Sequence, residues 1–160
     1  MMEPITIALF SACRTGDLPL LKEILDQSID LEVRDEKGFT PLIIATYNDQ
    51  VQAATLLLEA GADVNAQDAG GNTALMGVAF KGYHDIAALL ISYDANLDLQ
   101  HGNGGTALMF AAMFGRNDLL KLLLDNGADA RIKDSRGLDV YDLAMQQGNK
   151  EAMSILEQAE

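Results

Sequence analysis

The sequence predicts an all-α repeat solenoid, a stack of helix-turn-helix modules joined by β-hairpin loops. Three registers predict it. Thr40-Pro-Leu, Thr73-Ala-Leu and Thr106-Ala-Leu lie 33 residues apart. Gly38, Gly71, Gly104 and Gly137 keep the same step, and so does the series Gly16, Asp49, Gly82, Gly115 and Gly148. In addition, EAGADVNAQD (59–68) recurs as SYDANLDLQH and DNGADARIKD. Separate registers that share one period without insertions mark a chain whose units each bury their apolar faces on the next.

The registers divide the chain into a capping module 2–34, repeats 35–67, 68–100 and 101–133, and a second capping module 134–160, together one domain. Module one lacks the Gly-x-Thr entry, and its second segment carries Lys22, Glu23 and Asp26 among leucines. In module two Thr40 suits an N-cap and Pro41 the first turn. Asp49 then stands where the siblings have a helix-ending glycine. Module three repeats the entry with Thr73 but places Gly77 where the siblings have Ile44 and Phe110. A glycine inside a helix costs about 1 kcal/mol relative to alanine, although Val78 beside it can refill part of the space. Asp94 again replaces a left-handed glycine, so this module is expected to be the weakest.

Module four shows the second helix most plainly: in NDLLKLLL (117–124) Leu119, Leu122 and Leu123 share a face. Asp118 favours the positive end of the helix dipole, and Asn126-Gly127 stops the helix. Module five enters on Asp139-Val-Tyr and exchanges leucines for Glu151, Ser154, Glu157 and Gln158. Polar outer faces at both ends are what an open stack needs for solubility, and they predict a complete, capped protein.

The order Asp, Gly, Thr-Pro-Leu, Ala-rich helix, turn, Leu-rich helix and Gly-Ala-Asp-Val-Asn across residues 35–67 resembles the ankyrin repeat, and the resemblance extends over nearly the whole chain. It implies a protein that holds another protein on a concave surface made by hairpin tips and first helices. The chain departs from the family pattern after Thr-Pro-Leu, where Ile43, Met76 and Met109 replace the usual histidine.

The charge balance narrows the partner. Asp and Glu number 24 against 11 Lys and Arg, for a net charge of −13. Such a surface repels phosphate backbones and anionic lipid. The expected partner is therefore a protein with a basic surface, with no nucleic acid and no membrane; solubility alone is the competing explanation. Module four differs, since Arg116, Lys121, Arg131 and Lys133 outnumber its acids and could orient a partner along the stack. A single cysteine, Cys13, excludes an intrachain disulfide and a thiolate metal cluster. The apolar run 5–10 follows Glu3 rather than a basic residue and is short for a signal peptide. A cytoplasmic monomer is the resulting expectation.

Catalytic chemistry finds little support. Cys13 falls among small packed residues, His84 reads as a solvated first-turn residue, and the acids recur at cap and hairpin positions. The loop HGNGG (101–105) looks like a phosphate cradle, but it occupies the slot of DEKGF, DAGGN and DSRGL and lacks the Gly-Lys-Ser or Gly-Lys-Thr ending. It is a hairpin tip, and its glycines predict the most mobile one. No catalytic residue, metal or cofactor is expected.

The candidate binding residues follow from the register. Seven and eight places after each helix entry stand Tyr47-Asn48, Phe80-Lys81 and Met113-Phe114, with Gln147 at the matching place in module five. The tips add Phe39, Asn72, His101, Asn103 and Arg136. Since Leu42, Leu75, Leu108, Ala45, Ala111 and Ala112 already fill the stacking positions, the large residues are expected to line the groove; packing as core is the competing reading. On the groove reading, Phe80→Ala and Phe114→Ala should weaken binding with little change in melting temperature. The function expected is a non-enzymatic protein–protein interaction module. The alternative is a stoichiometric inhibitor or immunity-type protein that neutralises a basic toxin or other effector enzyme.

Overall fold

A computed structural model describes residues 1–159. Among them the chain forms ten helices: α1 (Pro4–Thr15), α2 (Leu18–Leu25), α3 (Pro41–Tyr47), α4 (Val51–Glu59), α5 (Ala74–Lys81), α6 (His84–Ser92), α7 (Ala107–Met113), α8 (Asn117–Asp125), α9 (Val140–Gln146) and α10 (Lys150–Gln158). They fall into five successive pairs. The first helices α1, α3, α5, α7 and α9 pack in one row, and the second helices α2, α4, α6, α8 and α10 in another. The all-α solenoid is thus the observed fold.

Side-chain caps set where the first helices begin. The hydroxyls of buried Thr40, Thr73 and Thr106 accept the amides of Ile43, Met76 and Met109 at 3.2, 3.2 and 3.3 Å. In α9, Asp139 accepts from Asp142 at 2.9 Å and Asp142 returns the bond to the Asp139 amide at 3.0 Å. The core is periodic in turn. Ile24, Leu57, Leu90, Leu123 and Leu156, one to a pair, are all at most 5% exposed. The stacking residues Leu42, Leu75, Leu108, Ala45, Ala111 and Ala112 are buried, as is Val78 beside Gly77.

Asp49 and Asp94 adopt the left-handed conformation that the register demands, with φ of 59° and 63°. A Cβ is disfavoured there, by about 1–2 kcal/mol for most residues and less for Asp. Asp94→Gly is therefore expected to raise stability by about 0.5 kcal/mol after the entropy of the unfolded glycine is discounted. Urea denaturation checks it; a lower midpoint would mean that the Asp94 side chain contributes more than its backbone costs.

Polar ladders hold neighbouring pairs together. Arg34, Gln67 and Gln100 each donate both to the glycine carbonyl of their own tip and to a carbonyl one repeat onward, at Gln67, Gln100 and Lys133 respectively. On the second rung, side-chain oxygens of Glu32, Asn65 and Asp98 accept the amides of Asp63, Asn96 and Asp129 at 3.0, 2.7 and 2.8 Å.

The hairpin loops are tips almost without arms. Each closes with two backbone bonds, for example Asp68 N–H to the Asn72 carbonyl and Gly71 N–H to the Asp68 carbonyl, at 2.8 and 2.9 Å. Among the described residues only Gln67 and Thr73 form a β-bridge, and no strand extends from it. The returning arm reaches the helix cap one residue after the tip closes, which leaves no length for a ladder.

The expectation that HGNGG is the loosest tip meets a different arrangement. His101 Nδ1 accepts the Asn103 amide at 3.0 Å, doing the work of the aspartate in the other tips. Gly102 N–H reaches back to the Gly70 carbonyl, and the Asn103 carbonyl accepts forward from Ser135, both at 2.9 Å. This tip is tied to both neighbours. Its glycines serve contact: a Cβ at Gly105 would lie 2.6 Å from His101 Nε2.

Candidate protein-binding groove

Hairpin tips and first helices share one face, and two of the clefts along it hold most of the expected residues. The first, of about 420 Å³, lies between the second and third pairs. Phe39, Ile43, Ile44 and Tyr47 form one wall, Asn72, Met76, Gly77 and Phe80 the other, and Phe110 closes an end. Lys37 and Asp68 stand at its tip side. The second cleft, also about 420 Å³, lies between the fourth and fifth pairs and is more polar. His101, Asn103, Met113 and Phe110 face Asp134, Ser135 and Arg136 there.

A chain of rings runs along this face. Tyr47 and Phe80 lie parallel with centroids 6.5 Å apart, and Phe80 meets Phe114 edge-on at 4.7 Å. Phe114 stacks with Phe110 at 6.3 Å, and Phe110 meets the His101 ring at 5.3 Å. Tyr47, Phe80 and Phe114 remain 41%, 36% and 42% exposed. Lys81 joins the chain through its ammonium, 4.7 Å from the centre of the Tyr47 ring. The rings therefore pack sideways on one another while keeping a face open to solvent.

The remaining residues expected here divide. Asn72 is half-buried, and its amide nitrogen donates to Asp68 at 3.2 Å. Arg136 is exposed but bound to Asp134 at 2.8 Å, and this hydrogen bond holds the Asp134 carboxyl below the usual carboxylate range. Asn48 and Gln147 line neither cleft. Both are helix C-caps, and the Asn48 side chain donates to the Ile44 carbonyl at 2.8 Å. Phe110 is the residue that sequence reasoning passed over. Its signal was the variation in side-chain size at one register position, Ile44, Gly77, Phe110 and Leu143, which becomes meaningful only when the repeats are laid side by side.

The cations of the fourth pair lie away from the groove. Arg116 donates to the Phe80 carbonyl at 3.1 Å, Lys121 faces Asp125 at 3.8 Å, and Arg131 pairs with Asp129 at 3.1 Å. None of them, nor Lys133, lines either cleft. The charges that line these two clefts are Lys37, Asp68, Asp134 and Arg136, and Lys81 stands beside them over the Tyr47 ring.

Elsewhere the reactive groups are quiet. Cys13 is fully buried, and burial pushes its thiol up to about 12, which leaves it protonated and unreactive at neutral pH. His84 opens α6 with its side chain 46% exposed, 4.0 Å from Asp85. Among the described residues no group of three or more His, Cys, Asp or Glu is placed to hold a metal, and no helix is long and apolar enough to cross a membrane.

A family model described as ankyrin repeats, in three copies, matches residues 5–68 and 61–134. Comparison with curated proteins returned no match.

Proposed function

The chain belongs to the ankyrin repeat family, whose repeats are protein–protein interaction modules, and on that premise we propose that it is a non-enzymatic binding protein that holds a protein partner in the groove between its tips and first helices. The observation that carries this reading is the continuous chain of rings from Tyr47 to Phe110, part of whose surface stays open to solvent. Aromatic side chains are concentrated at the centres of protein interfaces because they bury much area with few rotatable bonds.

The test is crosslinking capture from host extract with wild-type chain, a Phe80→Ala/Phe114→Ala double variant, and Tyr93→Ala as a control outside the groove. The double variant is expected to lose the captured partner, and Tyr93→Ala to retain it. The edge-on contact between Phe80 and Phe114 changes the stability expected from sequence alone. Its loss costs about 0.5–1.5 kcal/mol beyond the area exposed, so the double variant should melt lower yet stay folded by circular dichroism. Capture that survives the double variant would refute the groove.

The inhibitor reading is a narrower form, supported by the net charge of −13. If the captured partner is a basic enzyme, its activity should fall to background at equimolar chain. Undiminished turnover at saturation would leave the binding reading and remove the inhibitor.

A further inference from the structure

His101 stands where an aspartate opens each of the other tips. In those, one carboxylate oxygen of Asp35, Asp68 or Asp134 accepts two backbone amides, from the residues two and four places onward. The His101 ring accepts the first alone, from Asn103 to Nδ1 at 3.0 Å. A second departure fits the first. Where the other tips carry Phe39, Asn72 and Leu138, this one has Gly105, whose φ lies outside the left-handed region. Its backbone does not require glycine; the imidazole does, since a Cβ there would lie 2.6 Å from Nε2.

The exchange alters how the tip answers a proton. A carboxylate remains an acceptor down to about pH 4. A neutral imidazole has one nitrogen that accepts, whereas in the imidazolium both nitrogens donate. A proton on His101 therefore sets one N–H against another at Asn103, and no rotation of the ring restores the bond. That bond holds more than its own loop, because the Asn103 carbonyl accepts the Ser135 amide of the next tip at 2.9 Å. The charged ring has a second resting place. The Phe110 centroid is 5.3 Å away, and an aromatic face attracts a cation within about 6 Å.

The charges that face the imidazole are engaged elsewhere. Across the second cleft Asp134 and Arg136 hold one another at 2.8 Å. On the preceding tip, which packs against the His101 backbone, the Asp68 carboxylate is taken by the amides of Gly70 and Asn72. Helices α7 and α9 bring only Met109, Phe110, Met113 and Leu143 to this cleft.

We propose that His101 is a proton-sensitive latch on the groove. While neutral, its ring closes the fourth tip on Asn103. When it takes a proton, in the range of about pH 5 to 8 where imidazoles ordinarily titrate, the bond is lost and the ring moves onto Phe110. His101 and Asn103 line the second cleft and Phe110 lines both, so the groove changes shape as the pH falls. The effect on a partner rests on the groove reading; the latch itself does not.

Nitrogen-15 NMR of the full chain, with no partner present, tests the latch, so that its failure leaves the groove standing. The wild type, His101→Asp and His84→Gln are compared between pH 8 and pH 5. His84→Gln leaves His101 as the one histidine. In it and in the wild type the Asn103 amide proton should move upfield along a single titration curve. Protection of the Asn103 and Ser135 amides from hydrogen exchange, taken relative to an unstructured peptide at each pH, should fall by about fivefold, the size expected for one hydrogen bond. His101→Asp, which restores the residue of the sibling tips, should keep both amides protected throughout. Asn103 and Ser135 signals that do not respond in the wild type, a response lost in His84→Gln, or the same response in His101→Asp would each overturn the latch.

Discussion

Leu90→Ala is expected to lower stability by about 3 kcal/mol and to split unfolding of the chain in two. Leu90 is fully buried in α6, which packs against α4, α5 and α8. Removing a buried leucine loses its transfer free energy and leaves a cavity, for a cost of about 2–5 kcal/mol. The site matters as much as the residue. A stack is held by the stabilities of its units and by contacts between neighbours only, and the third pair is already strained at Asp94 and carries Gly77 inside α5. It also lacks one tie. Gln50, Arg116 and Asn149 each donate from the start of their second helix to a carbonyl of the preceding pair, at Arg14, Phe80 and Ala112. At the matching place, Tyr83 makes no such side-chain bond among the described residues. Urea denaturation followed by circular dichroism should therefore show two steps, or a shallower single one. Leu156→Ala in the last pair should lose stability while keeping one transition, since a frayed end does not sever the stack. One sharp transition with unchanged slope for Leu90→Ala would show that the third pair is not the weak link.

The second large effect separates a strained backbone from a blocked contact. Gly104 and Gly137 occupy the same register position with φ of 85° and 83°. A Cβ at Gly104 would lie 2.8 Å from the Ser135 nitrogen and 3.0 Å from Asp134 Cα, whereas at Gly137 nothing stands within 4 Å. Gly137→Ala should cost about 1 kcal/mol, the penalty of a left-handed alanine. Gly104→Ala should cost about 3 kcal/mol. It carries the same penalty, pushes the next tip away, and endangers the bond from Ser135 N–H to the Asn103 carbonyl, itself worth about 1 kcal/mol. Equal midpoints for the two variants in urea would mean that the tips do not need to nest.

Both predictions depend on features with different visibility in the sequence. The threonine caps, the helix stops and the left-handed Asp49 and Asp94 were legible, because each follows from a residue type at a fixed place within one repeat. So was the position of Tyr47, Phe80 and Phe114 on a solvent-accessible face, which follows from the stacking places being filled by Leu and Ala. What the glycines of HGNGG touch was not legible from their number. Gly102 and Gly105 serve close approach, one to the Gly70 carbonyl and the other to the His101 ring, so they tighten this tip. Asn48 and Gln147 share the register of Phe114, a helix C-cap as they are, but carry polar side chains in place of its ring and line neither cleft.

The sequence by itself determined the repeat, its period, the pairing of helices within each module and, in the internal modules, where the first helix begins and ends. These are local properties, set by cap, turn and apolar spacing over a few residues, and repetition made them legible five times over. Only the tertiary structure decided which residues meet across repeats: Tyr47 with Phe80 and with Gly77, Phe80 with Phe114, Lys81 over Tyr47, and Arg116 on the Phe80 carbonyl. Those meetings depend on how far each pair is shifted and rotated against the last. That rotation is set by packing between units, and no residue read within its own repeat carries it.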